Sequence, residues 1–157
     1  MKRVSSALPM SATVPEAEAA VSMFTQGFTC AQSVLGGFAD RYGLSREHAA
    51  RLGCAFGGGV ARTGQTCGAV SGALLVIGLA HGATAPGDHA AREKTYAVAS
   101  ELGRRFRERH GSIACRELLG VDIGTPEGRE AAIRSGLFKT LCPELVRHAA
   151  EIAAQLV

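Results

Sequence analysis

The chain has 157 residues, 46% of them apolar and 20% charged, with a formal net charge of +3. That is one domain's length with an ordinary globular composition, and the charge is too small to argue for nucleic acid. The longest apolar run, Ala69 to Ala80, has twelve residues, well short of the roughly 20 that span a bilayer as a helix.

In chain order, residues 1–14 read as a flexible leader without the apolar stretch of a signal peptide, so a cytoplasmic, reducing setting is expected. Residues 15–157 read as a single helical domain. Ala17, Val21, Phe24 and Phe28 recur at helical spacing after Pro15 and predict a first amphipathic helix. Val34, Leu35, Phe38 and Tyr42 predict a second, stopped by Gly43. Ser45 is placed to cap a short third helix through Leu52.

A glycine-rich stretch, "GCAFGGGVARTGQ", leads into a central buried helix at about 67–82. There Gly68 and Gly72, one turn apart, let another helix approach. The glycine run 57–59 reads as a close-approach loop, because no G-K-[ST] follows to make it a phosphate cradle. Pro86 and Asp88 begin a long polar helix whose inner face is Tyr96, Ala99, Leu102 and Phe106, ended by Gly111. A short helix around "ACRELLG" follows, then one opened by Thr125, Pro126 and Glu127. The last helix runs from about Pro143 with the stripe Leu145, Ala149, Ile152 and Leu156. No alternating strand pattern is present, so the expected fold is an all-α, compact multi-helix bundle.

Cys30, Cys67, Cys115 and Cys142 each fall at a predicted helix start. Thr29, Thr66, Ser112 and Thr140 stand just before them as candidate caps, and Pro143 suits a first turn. A thiol there meets free N–H groups and the positive end of a helix dipole, which lowers its pKa. Cys54 ends the third helix beside glycines and reads as a buried structural cysteine. The intervals of 37 (30 to 67), 48 (67 to 115) and 27 (115 to 142) residues contain no C-x-x-C, so any shared site must come from tertiary packing.

These residues resemble the C_GCAxxG_C_C family of putative redox-active proteins. The likeness rests on "GFTCAQSVL" (27–35), "FGGGVARTGQTCGAVSGALLVIGL" (56–79), "GSIACRELLGVD" (111–122) and "LCPELVRHAAEIAAQL" (141–156). It implies a small helical protein whose signature cysteines are Cys30, Cys67 (in "CGAVSG"), Cys115 and Cys142. "GCAFGG" at 53–58 is a second near-match and makes Cys54 a competing candidate. Sequences related to this family are joined to haem-bearing segments, but this chain has no C-x-x-C-H for haem attachment.

The remaining signals are weaker. "GRRFRERHG" (103–111) carries four arginines in six positions and reads as the solvated face of the long helix, with Glu101 and Glu108 nearby. His81 and His110 read as helix C-terminal residues rather than ligands. The expected function is therefore a redox module in which four cysteines converge. They would hold an Fe–S cluster for electron transfer with an unnamed redox partner, or cycle between thiol and disulfide. A non-catalytic Cu(I) or Zn binding protein is the alternative, and a purely structural helical homodimer the last.

Overall fold

The computed structural model describes residues 13–157, so the predicted leader lies outside the described residues except for Thr13 and Val14. The described chain is all helical: α1 (Pro15–Thr25), α2 (Cys30–Phe38), α3 (Arg46–Gly53), α4 (Gly68–His81), α5 (His89–His110), α6 (Cys115–Leu119), α7 (Pro126–Arg134), α8 (Leu137–Thr140) and α9 (Cys142–Leu156). Short 3-10 turns at Asp40–Tyr42 and Cys54–Phe56 follow α2 and α3. Among the described residues no helix is long and apolar enough to cross a membrane.

Helix α4 is the centre, packed against α2, α5 and α9. Its first three turns are buried through Ala69, Val70, Ala73, Val76 and Ile77, whereas Leu79 near its end is 43% exposed. The approach to α2 depends on the two glycines. A Cβ at Gly72 would stand 2.8 Å from the Ala31 carbonyl oxygen and 3.0 Å from Val34 Cβ. Gly36 and Gly37 of α2 play the same part toward α1, facing Met23 and the Glu16 carbonyl. Gly53 does so between α3 and α2, where a Cβ would meet Gln32 N at 2.8 Å.

Caps explain most boundaries. Thr29 and Gln32 form a reciprocal capping box, the Gln32 side chain accepting from Thr29 N at 2.9 Å. Ser45 accepts from His48 N, Asp88 from Ala91 N and Thr125 from Gly128 N, starting α3, α5 and α7 as expected. Gly43, Gly111 and Gly120 close their elements in the left-handed conformation, which costs glycine little.

Two predicted faces need correction. The buried face of α1 is Ala17, Ala20 and Met23; Phe28 lies past the helix end and is 37% exposed. Small Ala20 is what allows α2 to pack so closely, and this turns the larger Val21 and Phe24 toward the rim. Tyr96 on α5 is 61% exposed, while its neighbour Thr95 is the residue that meets the end of α4, through the His81 carbonyl. Helix α8, after the left-handed Gly136, carries too few residues to show a period.

The arginines of α5 are paired as the sequence suggested. Arg104 bridges Glu101 and Glu108, and Arg105 also meets Glu101. His81 Nε2 meets the Leu156 carbonyl at 2.9 Å, tying α4 to the end of α9. His110 and His148 join α5 to α9, with Nε2 and Nδ1 at 3.0 Å and rings stacked at 5.0 Å. No sequence period signals that pair.

Two outcomes follow from this packing. Gly72→Ala should lower stability by about 1–3 kcal/mol through overpacking against α2, although helix propensity alone favours alanine; a thermal melt above wild type would refute the close contact. Burial holds both histidines below their ordinary value. His148 and Arg109 add to this at His110, and Arg109 and Arg147 at His148; Glu144 opposes at both, and Glu151 at His148. The unfolded chain therefore binds protons more readily, and the pair's contribution is complete above the unfolded value of about 6.5 and is lost as pH falls through the lower folded values. The melting temperature should fall from pH 7 toward about pH 5, and fall less steeply in His148→Gln.

Candidate functional site

The four signature cysteines, carried on four different helices or helix starts, line one cavity of about 160 Å3. Cys30, Cys115 and Cys142 are the first residues of α2, α6 and α9, and Cys67 is itself the N-cap of α4. The rest of the wall is largely apolar, from Phe24, Leu118, Leu119, Ile123, Phe138 and Leu145. The cavity lies where two apolar clusters meet. Cys67 belongs to the main core, Cys115 and Cys142 to a smaller one with Leu119, Ile123 and Ala132, and Cys30 packs against both.

One short antiparallel bridge, Thr66 with Ala114, joins two of the four. Cys67 N donates to Ile113 O at 2.7 Å and Cys115 N to Gln65 O at 2.6 Å. Each cysteine's own N–H thus anchors it to the segment just before the other. A single bridge is too short to leave an alternating pattern, so the sequence did not reveal it.

Backbone room beside the thiols comes from glycine. A Cβ at Gly59 would stand 2.7 Å from Cys115 Cβ, and one at Gly68 would stand 3.1 Å from Cys30 Cβ. The loop bearing Gly59 is a left-handed turn. Gly58, Gly59, Val60, Ala61 and Arg62 all have φ between 50° and 68°. Left-handed geometry costs a residue with a Cβ roughly 1–2 kcal/mol, and a β-branched valine there is a true outlier. Long-reach bonds hold it: Ala61 N to Ala55 O at 2.9 Å, Gly64 N to Gly58 O at 3.1 Å and Gln65 N to Gly59 O at 2.9 Å. The glycine run is indeed a close-approach loop, with the Gln65 backbone and Cys115 as the tightest neighbours of Gly59.

Only Thr29 acts as the expected cap before a cysteine. Thr66 instead joins the bridge. Ser112 accepts from Ala114 N at 2.9 Å and bonds Glu117, and Thr140 donates back to Gly136 O. The electrostatic expectation is also corrected. Burial pushes Cys67 up to about 11, with the Ala69 and Val70 N–H groups pulling the other way. Burial, then the neighbouring Cys67 and Cys142, push Cys115 up to about 12. Cys30 and Cys142 hydrogen-bond each other, which raises Cys30 and lowers Cys142. Desolvation therefore outweighs the helix dipole at Cys67 and Cys115, while at Cys30 the bond to Cys142 is the larger cause and burial the second; the pair favours the negative charge on Cys142.

Cys54 is absent from this cavity. It caps the C-terminus of α3, is exposed rather than buried, and opens onto a separate groove with Arg62 and Arg129. All five cysteines are free thiols. Among the described residues no three His, Cys, Asp or Glu side chains are close enough together to hold a single metal ion. The four thiols ring a space and do not meet at a point.

Residues 28–156 match the family described as "Putative redox-active protein (C_GCAxxG_C_C)", and the chain belongs to it. No curated protein and no solved structure matches the chain.

The thiols should separate on titration. In the reduced, metal-free chain, alkylation should mark the exposed Cys54 first. Within the cavity, Cys142 should ionise at the lowest pH, with Cys67 and Cys115 protonated far into the alkaline range. Peptide mass spectrometry after labelling across pH would read the order. Cys67 reacting ahead of Cys142 would contradict it.

Proposed function

We propose that the cavity is a redox centre whose four cysteines, Cys30, Cys67, Cys115 and Cys142, hold an iron–sulfur cluster for one-electron transfer. The carrying observation is one apolar cavity ringed by four thiols from separate elements. The donor set suits such a group, because thiolates are the usual cluster ligands. A tetrahedral zinc ion with bonds of about 2.3 Å needs its ligands gathered at one point, and among the described residues no three His, Cys, Asp or Glu side chains are so gathered. The alternative of a single Zn or Cu(I) ion therefore fits less well than a multi-atom group. When bound, the cluster supplies a centre that takes up and gives back one electron.

The protein's own groups set the conditions. Three thiols are held protonated, so loading must release their protons and strengthens as pH rises. The Ala69 and Val70 N–H groups, which favour the thiolate form of Cys67, remain to donate to its sulfur, and hydrogen bonds to sulfur tune cluster potential. Phe24, Leu118, Ile123 and Phe138 keep water from the sulfurs.

A second reading has its own support in the Cys30–Cys142 hydrogen bond. The Cys142 thiolate would attack a partner disulfide and expel one of its sulfurs as a thiolate, which takes a proton. Cys30, losing its proton, would then attack Cys142 Sγ and release the second partner thiol. Two electrons and two protons pass to the partner, and a Cys30–Cys142 disulfide remains.

Anaerobic purification with iron and acid-labile sulfide analysis distinguishes the two. The cluster reading expects a visible absorbance band with iron and sulfide present, lost in Cys67→Ser and kept in Cys54→Ser. Colourless protein that forms a Cys30–Cys142 disulfide under mild oxidant would replace it with the second reading. A colourless protein inert to oxidant would end both.

A further inference from the structure

Beside the cysteine cavity lies a groove of about 600 Å3, within the range of small-molecule sites. Its two sides are the left-handed turn that ends in Arg62 and the helix α7 that carries Arg129. Neither guanidinium forms an ion pair among the described residues, whereas Asp122 pairs with Arg116 and Glu130 with Arg134. Much of the remaining lining is apolar. Ile123 and Phe138 supply it, and Ile133 is 59% exposed there with no partner over it. Two unpaired positive charges in a groove that also presents apolar side chains complement an apolar body with an anionic edge.

The groove also shares a wall with the cysteine cavity, since Thr29, Gly58, Ile123 and Phe138 line both. An occupant would lie one layer of side chains from the thiols. We infer that this groove binds a small amphipathic organic anion, planar and apolar with one or two anionic groups, and that this anion is the electron carrier that exchanges with the centre. The second clause rests on the redox reading above. One electron crosses the shared wall, the carrier is oxidised or reduced as the centre is reduced or oxidised, and no bond is made or broken. Arg62 and Arg129 hold the anionic edge, while Ile123, Ile133 and Phe138 take the apolar body.

The probe is anthraquinone-2-sulfonate, titrated into the full chain with its neutral hydroxymethyl analogue as control. Saturable binding should appear for the sulfonate, weaken as salt rises, and be at least about tenfold weaker for the neutral analogue. Arg129→Gln, on an exposed helix face, should weaken sulfonate binding by about tenfold, and Arg62→Gln by a similar factor. Because Cys54 opens onto the groove, bound sulfonate should also slow its alkylation. Equal affinity of wild type and both folded variants, or unprotected Cys54, would overturn the groove assignment. The binding readout does not need a loaded centre. Colourless protein that still binds sulfonate through the two arginines would overturn only the electron-carrier role, and coloured protein that binds none would overturn the groove alone.

Discussion

The missing side chains at Gly59 and Gly68 are the constraint on which the site depends. Any other residue at 59 would press on Cys115 Cβ, and any at 68 on Cys30 Cβ. Closing either contact would push a cysteine-bearing helix outward, since interiors packed near crystal density absorb little added volume. Everything around these two positions serves the same approach. Gly72 continues the contact of α4 with α2 for another turn, and the left-handed turn delivers Gly59 to α6. Strain in Val60, Ala61 and Arg62 is the conformational cost of that delivery, and it persists because the loop's amides are bonded across six residues.

The second consequence is electrostatic. Four helix starts aimed at one cavity should favour anions, since free N–H groups and dipoles point inward. Yet α6 has five residues, and the thiols are buried among leucine, isoleucine and phenylalanine. Removing a thiolate from water costs more than a short helix dipole returns, and each additional thiolate is repelled by the last. One negative charge, at Cys142, is what the cavity favours, through the Cys30 hydrogen bond.

Much of this was legible in the sequence, and the exceptions have physical causes. The helix starts at Cys30, Cys115 and Cys142 and the stop at Gly111 follow from local chemistry that acts over a few residues, whereas α2 ends at Phe38, and Tyr42 and Gly43 belong to the 3-10 turn that follows it. That the four cysteines face one cavity followed from their common position at helix starts, and Cys54 was set apart by its place at a helix end. The bridge between Thr66 and Ala114 could not be read, because it pairs segments far apart in the chain and spans one residue on each side. The direction of the thiol shifts was misread for a related reason. A helix start is visible in sequence, but the apolar walls that desolvate it come from α1, α8 and α9, and only packing reveals them.

The cavity and the arginine groove are best understood as two sides of one wall. Thr29 faces both while its hydroxyl caps α2, so the group that starts the Cys30 helix also sets the partition between thiols and groove. Gly58 belongs to both as well, and a Cβ there would collide with Arg62 of its own turn at 2.8 Å. The strained turn therefore performs two placements at once, Gly59 against Cys115 on the inner side and Arg62 over the groove on the outer. A change that relaxed the turn would move both together. The geometry thus couples the room available to the thiols with the charge presented outside them, through five residues held in a conformation that only glycine adopts freely.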